Sequence, residues 1–230
     1  MDKPGSKHFD AWLAGVLLVA MILALYMAFL VAPRERTMGD LQRIFYFHVP
    51  SGMMGLAAFT VNFFASLMYL LKKDRKWDSL ALSATEVGVM FFTIVLVTGP
   101  IWAKPAWFVW WTWSPRLTSS LVLWMLYIAY MLVRNYVPDP DRKATMSAVF
   151  GIVAFLDAPI VWFSIRWWRD QHPSAMIEKG NLPDPTMVAT FCVCIAAFLL
   201  LMVYLIRRRY FLESARLEAE QLERMADLAR

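Results

Sequence analysis

The sequence predicts an all-α fold, a polytopic membrane bundle of six transmembrane helices with both termini in the cytoplasm. Of its 230 residues, 60% are hydrophobic and 18% are charged, whereas a soluble domain carries about 25% charged residues. The apolar residues form runs of about twenty, which at 1.5 Å per helical residue match the roughly 30 Å hydrocarbon core of a bilayer. This composition excludes a water-soluble globular protein and makes the lipid bilayer the first expected partner.

Six apolar runs are long enough to cross the membrane as helices. They cover residues 11–31, 49–71, 80–102, 117–137, 144–165 and 187–206. The first run is too long for the core of a signal peptide and lacks a convincing cleavage site, so we expect it in the mature protein. We therefore expect a six-span membrane domain over 1–206. Because Glu, Leu, Ala and Arg dominate the remainder, we expect a helical cytoplasmic tail over 207–230.

The distribution of Lys and Arg predicts which way the spans point. Of the 23 Lys and Arg residues, 15 lie in or beside the N-terminal segment, the second and fourth loops and the C-terminal tail. Positive residues favour the cytoplasmic side, so both termini are predicted to be cytoplasmic. The three outer loops are the longer ones, and irregular segments often hold binding groups. Orientation accounts for the net charge of +5, so no nucleic-acid partner is expected.

One outer loop contains an unusual concentration of tryptophan. Five of the 11 tryptophans fall within residues 102–113. Tryptophan favours the headgroup region of any bilayer, so an interfacial aromatic belt is one interpretation. If the segment is helical, Trp107, Trp110 and Trp111 share one face, which suits stacking on a large planar ligand. Composition does not choose between the two interpretations.

The chain has only three histidines, and two of them are predicted on the outer side. His8 lies in the N-terminal segment, where we expect it to be solvated. His48 opens the second span and His172 follows the fifth, so they flank the tryptophan segment. Singly, each is more typical of an interfacial histidine bonded to a loop carbonyl. Together, two neutral imidazoles beside aromatic rings are what axial ligation of a haem iron requires.

Haem also carries two propionates, which need cationic or hydrogen-bonding partners. Four cations lie near the predicted site, namely Arg43, Lys104, Arg116 and Arg169. The sequence does not say which of them reaches a propionate. Extension of each side chain to lipid phosphates is the alternative.

Two acidic residues lie inside predicted spans, and unpaired charges are costly there. Glu86 is near the cytoplasmic start of the third span, and Asp157 is in the middle of the fifth, where we expect it to face the bundle interior. Pro159 removes a helical hydrogen bond, which predicts a kink that could direct His172 inward. Asp157 is then either a cap for the broken backbone or part of a proton relay.

The residues from 107 to 119 resemble a known signature. They read W-F-V-W-W-T-W-S-P-R-L-T-S, similar to the W-G-x-W-W-x-W-D-x-R-L-T motif of tryptophan-rich, haem-handling membrane proteins in cytochrome c maturation. Residues 46–50, Y-F-H-V-P, and 164–168, S-I-R-W-W ahead of His172, resemble the small six-span branch of that superfamily, the CcmC family. The resemblance covers most of the chain.

In the family that the chain resembles, two outer histidines ligate haem beside the tryptophan motif. The resemblance therefore implies His48 and His172 as the iron ligands, with b-type haem held non-covalently. It implies further haem contacts from the motif residues Trp107, Trp110, Trp111, Trp113 and Arg116.

The resemblance also implies a function. The protein would bind haem at the outer, periplasmic face of the cytoplasmic (inner) membrane and transfer it to a CcmE-like haem chaperone, without catalysing a reaction of its own. A templating role in covalent attachment of haem to the chaperone stays open. Further implied partners are the CcmA- and CcmB-like subunits of an ABC transporter and a small, single-span, CcmD-like subunit.

Two positions depart from the motif. Phe108 replaces the motif glycine, and we expect the larger side chain to alter the packing of the loop. Ser114 replaces the motif aspartate, which leaves Arg116 without its nearest counter-charge. Either this cation turns to a haem propionate, or the edge that faces the chaperone has changed.

Two other functional classes stay open on the residues alone. An electron-transfer cytochrome would use the same two histidines, His48 and His172, to hold a permanent redox haem. A small-molecule permease would use Asp157 and Glu86 in its pathway, although that function leaves the tryptophan cluster unexplained.

Overall fold

The computed structural model describes residues 4–168 and 184–228, and this part of the chain forms helices without β-strands. Six stretches are long and apolar enough to cross a membrane, which confirms the predicted six-span fold. A π-helical turn, Met27–Val31, follows α1, and a short 3₁₀ helix, Asp40–Ile44, precedes α2. The helices are α1 (Pro4–Tyr26), α2 (Phe45–Lys72), α3 (Arg75–Trp107), α4 (Pro115–Tyr136), α5 (Pro140–Phe155), α6 (Asp157–Trp168) and α7 (Pro185–Leu228).

Several helices extend beyond the predicted spans because polar residues cap them outside the apolar runs. Asp74 Oδ1 accepts the Lys76 N–H at 3.0 Å at the start of α3, and Asp139 Oδ1 accepts the Arg142 N–H at 2.7 Å at the start of α5. Side-chain oxygens at this position satisfy N–H groups that the first helical turn leaves unbonded. The apolar runs therefore predict where the chain crosses the membrane, whereas the capping residues determine where α3 and α5 begin.

The predicted interruption of the fifth span lies at Leu156, between α5 and α6. Pro159 has no N–H, so the carbonyl of Phe155, four residues earlier, receives no helical hydrogen bond from it. The Leu156 N–H instead bonds to the carbonyl of Val153 at 3.1 Å. Asp157 is partly buried just after this break, and its Oδ2 is buried without a hydrogen-bond partner in the described residues.

Helices α2 and α3 pack closely at the centre of the bundle. A Cβ atom at Gly55 of α2 would lie 2.4 Å from the ring of Phe92, and one at Gly88 of α3 would lie 2.5 Å from the ring of Phe59. The two glycines therefore allow the helices to approach, as small residues do in membrane bundles. Phe59 also stacks on Tyr127 of α4 with ring centroids 3.7 Å apart.

The two ends of the bundle differ in their side chains. We call the end with His48 and Trp107 the histidine end, and the end with Asp78 and Arg134 the charged end. At the charged end, Arg134 of α4 contacts both carboxylate oxygens of Asp78 of α3, at 2.5 and 2.9 Å, and both residues are buried.

A second and a third ion pair attach α7 to its neighbours at the charged end. Arg209 donates to both oxygens of Glu86 of α3, at 2.5 and 2.6 Å. Arg207 donates to Asp10 of α1 at 2.5 Å. Glu86 is thus paired rather than isolated, which lowers the cost of placing it in a span. Helix α7 continues past these arginines without a break to Leu228.

Candidate functional site

A cavity of about 470 Å³ opens at the histidine end. Four of the predicted site residues line it: His48 of α2, Trp107 of α3, Trp111 of the following loop and Arg116 of α4. Trp110 and Trp113 do not line it, and they are 59% and 76% exposed. His172 and Arg169 lie outside the described residues. The other lining side chains are mostly apolar and include Val49, Met53, Leu56, Phe92, Leu96, Trp102, Val161 and Ile165.

His48 is held by a threonine of the neighbouring helix. Its Nδ1 lies 2.8 Å from Thr98 Oγ1, and that hydroxyl lies 2.7 Å from the carbonyl of Ile94. Because the hydroxyl donates to this carbonyl, it accepts the N–H of His48 Nδ1. The neutral imidazole then carries its lone pair on Nε2. A second contact that fixes the tautomer and orientation in this way is typical of metal-ligating histidines.

The tryptophan segment is not one helix, so the predicted flat face of Trp107, Trp110 and Trp111 is wrong. Helix α3 ends at Trp107, and Phe108 has a left-handed backbone with φ of 63°. The chain then runs irregularly until α4 begins at Pro115. Lys104 Nζ donates to the carbonyl of Phe108 at 3.2 Å and so satisfies a group that the helix end leaves unbonded.

The tryptophans form two edge-to-face pairs instead. Trp102 and Trp107 have ring centroids 5.0 Å apart, and Trp111 and Trp113 have centroids 5.9 Å apart. Each pair places at least one ring on the cavity wall. The exposed Trp110 fits the belt interpretation, whereas the rings on the wall fit the stacking interpretation.

The departure at Phe108 has a backbone explanation. A left-handed φ favours glycine, the residue that the motif has there. The Phe108 side chain is 82% exposed, so it does not crowd the loop. The strain falls on the backbone instead.

Ser114 occupies the N-cap position of α4. Aspartate and serine are both favoured N-cap residues, so this position suits either one. The Ser114 side chain makes no capping hydrogen bond, and its Oγ is buried without a partner among the described residues.

Of the three described cations predicted near the site, Arg116 lines the cavity. It donates to the carbonyl of Val161 of α6 at 2.7 Å, which links the start of α4 to α6. Arg43 instead donates to the carbonyl of Ala28 and to Asp40, and Lys104 caps α3. Arg166 of α6 also lines the cavity, although the sequence analysis did not select it.

Among the described residues, Asp157 does not line the cavity that Glu86 lines. Glu86 lines a separate cavity of about 500 Å³ at the charged end, whereas Asp157 lies at the break between α5 and α6. Neither lines the cavity that contains His48. This separation gives no support to a pathway that uses both acids.

Gln42 and Thr98 are further site residues that sequence reasoning missed. Gln42, in the 3₁₀ helix, lines the cavity, is 2% exposed, and lies beside the buried hydroxyl of Tyr46. A glutamine in a connecting segment is usually solvated, and a threonine bonded to its own helix is common in spans. A single sequence therefore gives no indication that either residue belongs to the site.

The sequence of the chain is similar to those of known proteins. The family model described as heme exporter protein C, CcmC, matches residues 4–225 of the chain. The chain belongs to this family. The heme exporter protein C of Bradyrhizobium diazoefficiens is 33% identical, over 84% of this chain and 74% of its own length. That of Escherichia coli is 32% identical, over 84% and 78%.

A plant relative extends the comparison. A Marchantia polymorpha protein named as a putative cytochrome c biosynthesis ccmC-like mitochondrial protein is 30% identical, over 78% of this chain and 76% of its own length. Membership of the heme exporter protein C family confirms the resemblance that the tryptophan motif indicated.

Proposed function

We propose that this protein binds haem in the histidine-end cavity and transfers it to a haem chaperone during assembly of c-type cytochromes. Family membership supports a role in haem handling for cytochrome c maturation. The observation that carries the proposal is that His48 lines one cavity together with Trp107, Trp111 and Arg116, which follow it by 59 to 68 residues in the sequence. Its volume of about 470 Å³ lies within the usual range of sites for small molecules.

The lining residues fit haem. His48 would ligate the iron through Nε2, since Thr98 occupies Nδ1, and we propose His172 as the second ligand. Trp107 and Trp111 would contact the macrocycle, which is held non-covalently as b-type haem. Trp110 and Trp113, which are exposed, would cover the part of haem outside the cavity.

The remaining proposals concern topology and partners. The Lys and Arg distribution supports cytoplasmic termini in the inner membrane, with the haem cavity on the periplasmic side. Residues 1–206 would form the membrane domain and 207–230 the cytoplasmic tail. The partners would be a CcmE-like chaperone, CcmA- and CcmB-like transporter subunits and a CcmD-like subunit. The chain itself would not catalyse the formation of a covalent bond.

The test is the absorption spectrum of haem that copurifies with the protein. We expect the unaltered protein to give the spectrum of a haem with two histidine ligands. His48→Ala and His172→Ala should each change that spectrum and weaken haem retention. His8→Ala is the matched control, because it removes the histidine of the N-terminal segment, and it should leave the spectrum unchanged. An unchanged spectrum in both His48→Ala and His172→Ala would refute the ligand assignment.

A further inference from the structure

Glu213 of α7 is a buried carboxylate that lines the cavity of about 500 Å³ at the charged end and is 8% exposed. Its oxygens form neither a hydrogen bond nor an ion pair within the part of the chain that the structure describes. Arg134 and Arg209 interact with its charge, but both are already bonded to Asp78 and Glu86. The inner part of the cavity therefore has three carboxylates for two guanidinium groups, and an uncompensated buried charge is costly.

The outer rim of this cavity has the opposite charge. Three cations, Arg75, Lys143 and Arg216, line it together with one carboxylate, Glu220. Arg75 begins α3 and Lys143 is in the first turn of α5, so both lie at the ends of their spans. The Arg216 side chain is 68% exposed beside Glu220. A negative inner part and a positive rim together suit a ligand that has an ammonium group and a phosphate.

The wall that α4 contributes to this cavity is apolar and continues along the outside of the bundle. Ile128 and Leu132 line the cavity, and Met125 precedes them by three and seven residues on the same face of the helix. Met125 is 56% exposed and Leu132 is 50% exposed. These three side chains form an apolar strip along which an acyl chain can lie, with its headgroup among the charges of the cavity.

We propose that the charged-end cavity binds a phospholipid whose headgroup has a primary ammonium, as in phosphatidylethanolamine. Glu213 accepts an N–H of the ammonium, and Arg75 and Lys143 contact the phosphate. The quaternary ammonium of phosphatidylcholine has no N–H to donate, so the cavity distinguishes these two zwitterionic lipids. The described lining of this cavity shares no residue with that of the histidine-end cavity, so the proposal does not depend on haem binding.

The test is a competition between two lipids with identical acyl chains. The full-length chain in detergent micelles is mixed with equal amounts of phosphatidylethanolamine and phosphatidylcholine, and native mass spectrometry measures the lipid that stays bound. We expect the unaltered chain to retain the ethanolamine lipid in about tenfold excess, because hydrogen bonds to charged groups are among the strongest in proteins. Glu213→Gln removes the charge and keeps the shape of the side chain, so the two lipids should then be retained equally.

Matched controls separate the cavity from the rest of the charged surface. Glu218 lies on the same helix, is exposed and does not line the cavity, so Glu218→Gln should keep the preference. Lys143→Gln should weaken retention of both lipids equally, because both contain the phosphate. Arg142 is its exposed neighbour outside the lining, and Arg142→Gln should change neither. Retained phosphatidylcholine in Glu213→Gln would show that this variant is folded.

Three results would overturn the proposal. If the unaltered chain did not prefer the ethanolamine lipid, or if Glu213→Gln kept the preference, Glu213 would not hold the ammonium. Stronger retention of phosphatidylglycerol than of phosphatidylethanolamine would mean that the cavity selects negative charge. If glycerophosphoethanolamine, the headgroup without acyl chains, competed as strongly as the whole lipid, the ligand would be a soluble amine phosphate and the apolar strip of α4 would have no part in binding.

Discussion

At the charged end of the bundle, arginines are paired with carboxylates, whereas at the histidine end a histidine and aromatic rings surround a cavity. Asp78 and Arg134 form a two-point ion pair between α3 and α4. In contrast, His48, Trp107 and Trp111 line a mainly apolar cavity at the histidine end. Polar groups are costly to bury in both places. An opposite charge offsets this cost for Asp78 and Arg134, whereas a hydrogen bond to Thr98 offsets it for His48.

This difference assigns separate tasks to the two ends. Ion pairs inside the chain neutralise Asp78 and Glu86 at the charged end, so these residues contribute to the stability of the helix arrangement. The histidine end holds the cavity lined by His48, Trp107 and Trp111, and a mainly apolar cavity with a few polar groups is typical of a ligand site. Variants at the charged end should therefore change stability, and variants at the histidine end should change ligand affinity.

The largest expected effect is at the buried ion pair. Asp78→Asn leaves the guanidinium of Arg134 buried without its counter-charge, and we expect the free energy of unfolding to fall by about 3–5 kcal/mol. Denaturant unfolding in lipid nanodiscs would measure this change. The haem affinity of the folded fraction should stay as in the unaltered protein.

The control for this variant is an exposed pair at the same end. Asp141 also pairs with an arginine, Arg75, but the Asp141 side chain is 88% exposed. We expect Asp141→Asn to cost less than about 1 kcal/mol. If Asp78→Asn lowered haem affinity and left stability unchanged, the division of tasks between the two ends would be wrong.

A smaller effect is expected at the hydrogen bond that orients His48. Thr98→Val removes the oxygen that accepts the Nδ1 N–H and keeps the shape of the side chain. We expect haem affinity to fall about tenfold, while the free energy of unfolding changes by less than about 1 kcal/mol. Titration with haem and unfolding of the same sample would measure both.

A second threonine tests whether this effect is specific. Thr60 of α2 also bonds to a carbonyl of its own helix, that of Leu56, at 2.8 Å. Thr60→Val should leave haem affinity unchanged. Equal losses of affinity in the Thr60 and Thr98 variants would point to a general loosening of the helices rather than to orientation of His48.

The sequence predicted the six spans because bilayer thickness fixes the length of an apolar run. It also predicted the break near Pro159, since a missing N–H acts locally. The ends of α3 and α5 were less predictable, because Asp74 and Asp139 are polar residues that a hydropathy pattern assigns to loops. The sequence therefore predicted where the spans lie, whereas the ends of the helices depended on capping residues.

The site was predictable only in part. His48, Trp107, Trp111 and Arg116 were predicted together, and the structure brings them to one cavity. The helical face of tryptophans was wrong, because a non-glycine residue with positive φ, Phe108, ends the helix where the residue spacing suggested continuation. Gln42 and Thr98 belong to the site because of their positions in three dimensions, which their residue types do not predict.

The smallest expected effect concerns a left-handed backbone conformation that occurs at both ends of the bundle. Lys73 ends α2 at the charged end with φ of 54°, and Phe108 ends α3 at the histidine end with φ of 63°. A left-handed backbone destabilises the folded state by about 1–2 kcal/mol at a non-glycine residue. Replacement by glycine removes this cost, but part of the gain is lost because glycine has more conformational freedom in the unfolded state. We expect Lys73→Gly and Phe108→Gly each to raise the free energy of unfolding by about 1 kcal/mol or less.

The two glycine variants should differ in what else they change. Phe108→Gly acts next to Trp107, so it reports whether the loop that carries Trp111 must be rigid for haem to bind, whereas Lys73→Gly should leave haem titrations unchanged. Equal stabilisation by both, with unchanged haem affinity, would mean that the positive φ at Phe108 only turns the chain. A loss of affinity confined to Phe108→Gly would mean that the loop that carries Trp111 must be rigid for the histidine end to hold haem.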